Sequence, residues 1–73
     1  RLTRGVEVAI FLYETNVQEY KVSLRSKSYV DVCKVAQYFG GGGHEKASGV
    51  TMTGTPQDIL NNLAERIDEQ LKG

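Results

Sequence analysis

A run of four glycines followed by a histidine, Gly40 to His44, is the stretch of this 73-residue chain whose residue types are best suited to chemistry. Glycine allows close approach to the main chain, and a succession of N–H groups can curl into a concave nest that binds an anion. His44 adds an imidazole that can donate a hydrogen bond or carry positive charge near neutral pH. The stretch therefore predicts a site for phosphate or a similar anion. The alternative is a flexible loop in which the histidine has no role.

A basic, hydroxyl-bearing segment earlier in the chain can add contacts to the same anion. Arg25, Ser26 and Lys27 follow one another at the end of a predicted strand. The guanidinium of arginine is a planar fork that can bind phosphate or carboxylate through two hydrogen bonds. Ser26 would add a hydroxyl, and Lys27 a second charge. The alternative for Arg25 is a solvated side chain paired with an acid, as is usual for surface arginines.

The glycine run does not match the common nucleotide-binding loops. A Walker loop places Lys and then Ser or Thr after its last glycine, whereas His44 follows Gly43 here. The dinucleotide fingerprint needs another glycine further on and a strand just before the loop, and both are missing from this sequence. One cysteine and one histidine cannot supply the four ligands of a structural zinc site. We expect this domain, by itself, not to be an enzyme.

Composition restricts the partners of the chain. Nine basic and nine acidic residues give zero net charge, so any contact with nucleic acid should be local. Cys33 is the only cysteine, which rules out an internal disulfide and fits a reducing, cytoplasmic compartment. No apolar run is long enough to cross a membrane, so we expect no membrane partner. The chain begins without Met, which suggests a piece of a longer protein.

Two segments ahead of the glycines predict a β-hairpin, at residues 5–14 and 19–26. The first has apolar residues on both faces over its second half, including Phe11 and Tyr13, as expected for a central strand. The second alternates cleanly, with Tyr20, Val22 and Leu24 toward the core and Lys21, Ser23 and Arg25 away from it. The connection is short, so the two strands should be antiparallel.

The period then changes to that of a helix. Asp31 is the expected N-cap, with Ser28 as the alternative, and Gly40 should end this first helix. A third strand follows around Val50 and Met52, and a second helix starts at Thr55-Pro56. The predicted fold is a small two-layer α/β (α+β) domain of order β-β-α-β-α. Its mixed sheet would combine the hairpin with a right-handed β-α-β crossover, and two helices would cover one face.

Several segments together resemble a known family. They are residues 23–27 (SLRSK), 30–32 (VDV), 35–36 (VA), 39–44 (FGGGGH) and 47–49 (ASG). The combination is similar to the DHHA1 domain of the DHH phosphoesterases, over nearly the whole chain. It looks most like the C-terminal domain of bacterial bifunctional oligoribonucleases that also dephosphorylate 3′-phosphoadenosine 5′-phosphate. Ser48 departs from the alanine that is common in the family, and we expect its hydroxyl to leave function unaltered.

The resemblance implies a division of labour. In such enzymes a separate N-terminal DHH domain holds two manganese ions through Asp and His side chains, and the DHHA1 domain closes over the cleft and grips a nucleotide or short single-stranded RNA. Residues 1–73 would be this substrate-binding domain, with no cofactor of its own, and the parent would be a hydrolase. Matched residue by residue, the substrate would be held by Arg25 and Ser26 on one side and by Gly41, Gly42, Gly43 and His44 on the other.

Two alternatives to this function stay open from the sequence. Related DHHA1 domains occur in alanyl-tRNA synthetases, so the chain could be an RNA-binding or tRNA-binding module without phosphoesterase chemistry beside it. Zero net charge argues against the extended basic face that such binding needs. The chain could also be a structural module that serves dimerisation, with a merely flexible glycine loop.

Overall fold

The computed structural model describes residues 7–27 and 29–72, which form one four-stranded sheet and two helices. In chain order the elements are β1 (Val8–Asn16), β2 (Glu19–Ser26), α1 (Val32–Tyr38), β3 (Gly42–His44), β4 (Ala47–Thr53) and α2 (Pro56–Lys72). The strand order across the sheet is β1-β2-β4-β3, and every neighbouring pair is antiparallel. The domain is therefore α+β, with the order β-β-α-β-β-α.

The prediction of a mixed sheet with an adjacent β-α-β crossover is wrong. The chain leaving α1 does not go straight into the strand beside β2, because residues 42–44 first form the edge strand β3. A two-residue turn at Glu45 and Lys46 then brings β4 back between β2 and β3. β4 consequently runs antiparallel to both of its neighbours.

The first hairpin has the predicted pairing but a different place in the sheet. β1 was expected to be central, and it is an edge strand. Its apolar residues Phe11 and Tyr13 are 47% and 57% exposed, because nothing within the described residues covers that face. β2 has the predicted bounds. Positions 5 and 6 of the predicted first strand lie outside the described residues.

Both helices pack on one face of the sheet and form the core with it. From the sheet, Val22, Leu24, Val50 and Met52 are buried; from the helices and the segment before α1, the buried residues are Val30, Val32, Val35, Ala36, Ile59, Leu63 and Ile67. Lys21 and Arg25 on the alternate positions of β2 are exposed, as the alternation predicted. The sheet thus has one helix-covered face and one face open to solvent within the described part of the chain.

The helix starts follow their local signals. The Asp31 carboxylate accepts hydrogen bonds from the N–H groups of Cys33 and Lys34, so Asp31 is the N-cap of α1. The Thr55 hydroxyl accepts the N–H of Asp58 at 3.1 Å, which places Thr55 in the capping position of α2. Ser28, the alternative cap, lies outside the described residues.

A side chain near the end of α2 ties that helix to the start of α1. The amide oxygen of Gln70 accepts the N–H of Asp31 at 2.8 Å, and its amide nitrogen donates to the Asp31 carbonyl at 3.0 Å. Nearby, the guanidinium of Arg66 lies over the ring of Tyr38, 4.4 Å from its centroid. These contacts hold the two helices in register above the sheet. No helix in the described ranges is long and apolar enough to span a bilayer.

Candidate functional site

The first two glycines of the run complete the end of α1. The Gly41 N–H donates to the carbonyl of Ala36 at 2.8 Å, and the Gly40 N–H donates to that of Gln37 at 3.1 Å. Gly40 has φ +91, the left-handed conformation that glycine adopts most easily after a helix. These bonds form a Schellman motif. The two N–H groups are therefore engaged by the helix and do not point into an anion nest.

The next residues belong to the sheet rather than to a loop. Gly42, Gly43 and His44 pair with Gly49, Ser48 and Ala47, in that order. The close fit explains two of the glycines. A Cβ on Gly41 would lie 2.3 Å from the carbonyl oxygen of Gly49, and one on Gly43 would lie 2.6 Å from the Cα of Ser48. Both positions need glycine so that the chain can pack on β4.

Gly42 is different, because the fold does not require a glycine there. A Cβ at this position would meet no atom within 4 Å, and its φ lies outside the left-handed region. The absent side chain instead leaves open the surface beside it. That surface is a shallow groove of about 290 Å³ lined by Ser23, Arg25, Gly42, Gly43, Ala47, Ser48 and Gly49.

The register of the strands brings Arg25 and His44 to the same face of the sheet. Arg25 is opposite Ala47, and Ala47 is opposite His44, so the three form one row across β2, β4 and β3. Residues directly opposite one another project to the same side, and neighbouring strands are about 4.8 Å apart. The Cα atoms of Arg25 and His44 should therefore be about 10 Å apart, with only the small side chain of Ala47 between them.

Small residues form the floor of this groove. Ser23 and Gly49 are opposite each other, and Gly49 is opposite Gly42, which makes a second row beside the first. Ser23, Ala47 and Gly49 line the groove but were not predicted to do so. The predicted strand lies around Val50 and Met52, whereas β4 begins at Ala47. The signal that could have found them is the spacing Ala47-x-Gly49, which places two small residues on the open face.

Arg25 and His44 have no acidic partner in the described residues. The two ion pairs within 7–27 and 29–72 both belong to Arg66, with Glu65 and Glu69. Arg25 and His44 are exposed, and neither side chain has a hydrogen-bond partner in this part of the chain. An exposed guanidinium thus lines the groove, and an exposed imidazole lies in the same row beside it.

Ser26 lies on the other side of the sheet from Arg25. Its hydroxyl donates to the Glu7 carboxylate at 3.5 Å, and that carboxylate also accepts the N–H groups of Tyr29 and Val30. The Ser26 N–H donates to the carbonyl of Lys46 at 2.9 Å, which joins the end of β2 to the β3–β4 turn. Of the six residues predicted to bind substrate, Arg25, Gly42 and Gly43 line the groove, and His44 lies in the same row as Arg25 beside it. Gly41 packs against Gly49 and Val50, and the Ser26 side chain faces away.

Two further side chains near the glycines have structural partners. Ser48 donates its hydroxyl to the carbonyl of Val32 at 2.8 Å and so joins β4 to α1 on the helix-covered face. Cys33 donates its thiol to the carbonyl of Gly43 at 3.3 Å, which supports β3 from α1. In the described ranges no group of three or more His, Cys, Asp or Glu residues could hold a metal ion. A manganese site does not fit the residues of this part of the chain.

The fold defines a two-layer α+β domain whose antiparallel sheet has one open face and a glycine-bordered groove on it. The family model of the DHHA1 domain matches residues 1–73, and the chain belongs to that family.

Two curated relatives are much longer than this chain. It is 35% identical over 72 residues to the bifunctional oligoribonuclease and PAP phosphatase NrnA of Thermus thermophilus, which covers 97% of the chain and 22% of that protein. It is 45% identical over 49 residues to the oligoribonuclease NrnB of Bacillus subtilis, which covers 66% of the chain and 12% of that protein. The chain thus spans less than a quarter of either relative.

Proposed function

We propose that this chain is the substrate-binding domain of a DHH-family, metal-dependent phosphoesterase that acts on short oligoribonucleotides, 3′-phosphoadenosine 5′-phosphate, or both. Membership of the DHHA1 family and the names of the two relatives support this assignment. The bound part of the substrate would be a nucleotide phosphate, held in the groove between Arg25 and His44. The domain would bind and orient this ligand and would carry out no chemistry alone.

The observation that carries the proposal is the empty space at Gly42 beside an arginine without an acidic partner. Glycine in a strand costs stability, since it loses more conformational freedom on folding and packs no side chain. Neither a steric conflict nor a positive φ requires it at position 42. Close approach of a ligand to the main chain is the remaining physical use of a glycine in this place.

The chemistry of the groove suits a phosphate. The Arg25 guanidinium can give two parallel hydrogen bonds to phosphate oxygens, and hydrogen bonds of this charged kind are stronger than neutral ones. His44 can donate from the opposite end of the same row. Ala47 and Gly49 between and beside them leave room for the anion above the sheet.

In this proposal Ser26 acts through its main chain. Its N–H holds the Lys46 carbonyl, so it keeps the turn that follows His44 next to the end of β2. The distance across the groove between Arg25 and His44 depends on that link. Ser26 is thus a positioning residue, and a direct contact of its hydroxyl with substrate stays a prediction from the family resemblance.

The hydrolytic chemistry would belong to another part of the parent enzyme. Manganese ions in a DHH domain would supply an activated water and stabilise charge on the scissile phosphate. The contribution of the present chain is to fix the nucleotide, which lowers the entropic cost of reaching the reactive geometry.

The direct test is an NMR titration of the chain with 3′-phosphoadenosine 5′-phosphate, with adenosine as the control that lacks phosphate. We expect the amide signals of Ser23, Gly42, Ala47 and Gly49 to shift with the phosphorylated ligand only. Gly42→Val should abolish these shifts, because its side chain would occupy the groove without disturbing the strand. Thr51→Val, on the same face outside the groove, is the matched control and should bind like the parent chain.

Two results would argue against the proposal. The first is equal response to adenosine and to the phosphorylated nucleotide, which would remove phosphate as the recognised group. The second is unchanged binding by Gly42→Val. Tight binding of a folded tRNA that falls steeply with salt would favour the RNA-binding alternative instead.

A further inference from the structure

Two aromatic side chains stand exposed on the same open face as the groove. Phe11 and Tyr13 lie on β1, 47% and 57% exposed, while Ile10 and Leu12 between and beside them pack toward the core on the other face. Aromatic side chains bury a large surface when they contact a partner, and much of that surface is exposed to water here. The described part of the domain supplies no partner for these two rings, and they are not needed for its core.

The register places these rings next to the groove. Phe11 is opposite Ser23, and Ser23 continues the row through Gly49 to Gly42. Arg25 is opposite Ala9 in the neighbouring row, so it is the diagonal neighbour of Phe11. Diagonal neighbours on one face of an antiparallel pair are about 7–8 Å apart, within reach of long and aromatic side chains. A nucleotide held by its phosphate at Arg25 can therefore place a base over Phe11.

Tyr13 extends the surface by one step. It lies two residues along β1 from Phe11, a separation of about 7 Å on an extended strand. Tyr13 is opposite Lys21, which is exposed on the same face. The two rings can thus each stack one of two successive bases, and Lys21 can contact the phosphate beside the second base. Exposed aromatics on a four-stranded sheet bind single-stranded RNA in this way in other folds.

The surroundings of the rings favour a single-stranded nucleic acid over a protein partner. Ser23, Gly49 and Thr51 separate the aromatics from the rest of the face, so no continuous apolar patch is formed. The cations Arg25 and Lys21 lie beside the rings, Arg25 diagonal to Phe11 and Lys21 opposite Tyr13. Glu19, the acid on this face of β2, is two residues from Lys21 and accepts a hydrogen bond from the Thr15 hydroxyl. Interleaved rings and cations are typical of surfaces that bind single strands without sequence preference.

We propose that Phe11 and Tyr13 form a base-stacking platform that continues the phosphate groove and receives the next bases of a short single-stranded RNA. This inference rests on the proposed function and adds a second subsite to it. With both subsites the domain should bind an oligonucleotide more tightly than a mononucleotide, because a mononucleotide contacts only the groove and Phe11.

The test uses three ligands with the full 73-residue chain: the adenylate trinucleotide, the same trinucleotide without bases, and 3′-phosphoadenosine 5′-phosphate. Affinities would come from NMR titration. Phe11→Ala should weaken binding of the adenylate trinucleotide by roughly 5- to 150-fold, the usual worth of one stacked base, and should leave the abasic ligand unaffected. Tyr13→Ala should weaken binding of the adenylate trinucleotide and leave binding of the other two ligands unchanged. Phe11→Tyr should bind the adenylate trinucleotide like the parent chain, and Thr51→Val is the control on the same face.

The outcomes separate this inference from the proposed function. If Arg25→Ala and Gly42→Val weaken every phosphorylated ligand while Phe11→Ala changes none, the groove stands and the platform is overturned. If Phe11→Ala and Tyr13→Ala act as expected while the groove variants have no effect, the platform stands and the groove assignment falls. Equal losses of the abasic and the adenylate ligand in Phe11→Ala would show that the ring only shapes the sheet, which overturns the platform. No binding of the adenylate trinucleotide by the parent chain would overturn the platform, and no binding of 3′-phosphoadenosine 5′-phosphate either would overturn the groove as well.

Discussion

Gly41 and Gly42 are neighbours in sequence, yet the space around them is opposite. A side chain on Gly41 would collide with the main chain of β4, whereas one on Gly42 would extend into open space. The first glycine is required by the packing of the domain and the second is not. A run of identical residues can thus contain both positions that packing requires and positions that packing leaves free, and the space around each Cβ distinguishes the two.

Adding one methyl group at each position tests whether the two glycines differ in this way. Gly41→Ala should lower the free energy of unfolding by about 3 kcal/mol, because the Gly49 carbonyl and Val50 would have to move. Gly42→Ala should raise it by up to about 1 kcal/mol, because alanine loses less backbone freedom than glycine and its Cβ meets no atom there. Chemical denaturation followed by circular dichroism measures both. Equal destabilisation by the two variants would show that position 42 is also constrained by packing.

Arg25→Ala tests the recognition side of the comparison. In the full-length parent enzyme we expect a loss in kcat/KM worth about 1.5–3 kcal/mol, the usual value for a hydrogen bond to a charged group. The free energy of unfolding should stay near that of the parent chain, since Arg25 is exposed and has no ion pair among the described residues. An unchanged kcat/KM would show that Arg25 does not bind the substrate.

His44→Ala should have a smaller and more selective effect. One neutral hydrogen bond contributes about 0.5–1.5 kcal/mol, so kcat/KM should fall by that amount on substrates with a terminal phosphate. Substrates with an unphosphorylated end should be affected less. The comparison of the two substrate types in steady-state kinetics is the measurement, and identical losses on both would contradict a contact between His44 and a terminal phosphate.

Ser26→Ala is expected to give the smallest change. The hydroxyl lies on the helix-covered side near Glu7, and the main-chain bond to Lys46 survives the substitution. The loss in kcat/KM should therefore be worth less than about 0.5 kcal/mol of transition-state binding, the lower limit for a net hydrogen bond. A loss as large as that of Arg25→Ala would show that the hydroxyl reaches the substrate and that the end of β2 rearranges on binding.

Local signals account for the parts of the fold that the sequence predicted correctly. The bounds of β2, the cap at Asp31, the stop at Gly40 and the start at Thr55-Pro56 each depend on residues within one turn or one strand. β3 could not be found in this way. Glycine has low strand propensity, and residues 42–44 are a strand because β4 lies beside them. Because β3 was not predicted, the antiparallel arrangement of the sheet was not predicted either.

The proximity of Arg25 to the glycines was predicted for a reason that does not hold. Arg25 was expected near the glycines because of a parallel crossover, and it is near them because β4 pairs with β2 and β3 at once. The sequence also could not distinguish Gly42 from its neighbours, since all four glycines look alike until the surrounding atoms are known. Phe11 and Tyr13 matched a central strand, and only the strand order shows that they are at an exposed edge.

The double hydrogen bond between Gln70 and Asp31 has a practical consequence for anyone who trims this domain. Asp31 caps the start of α1, and β3 follows shortly after the end of α1. Gln70 in the last turns of α2, 39 residues further along the chain, therefore stabilises the helix that supports β3. A version cut short before residue 70 would lose both bonds and loosen the helix that supports β3. Ligand measurements on such a shortened protein would then report on a frayed scaffold rather than on the groove.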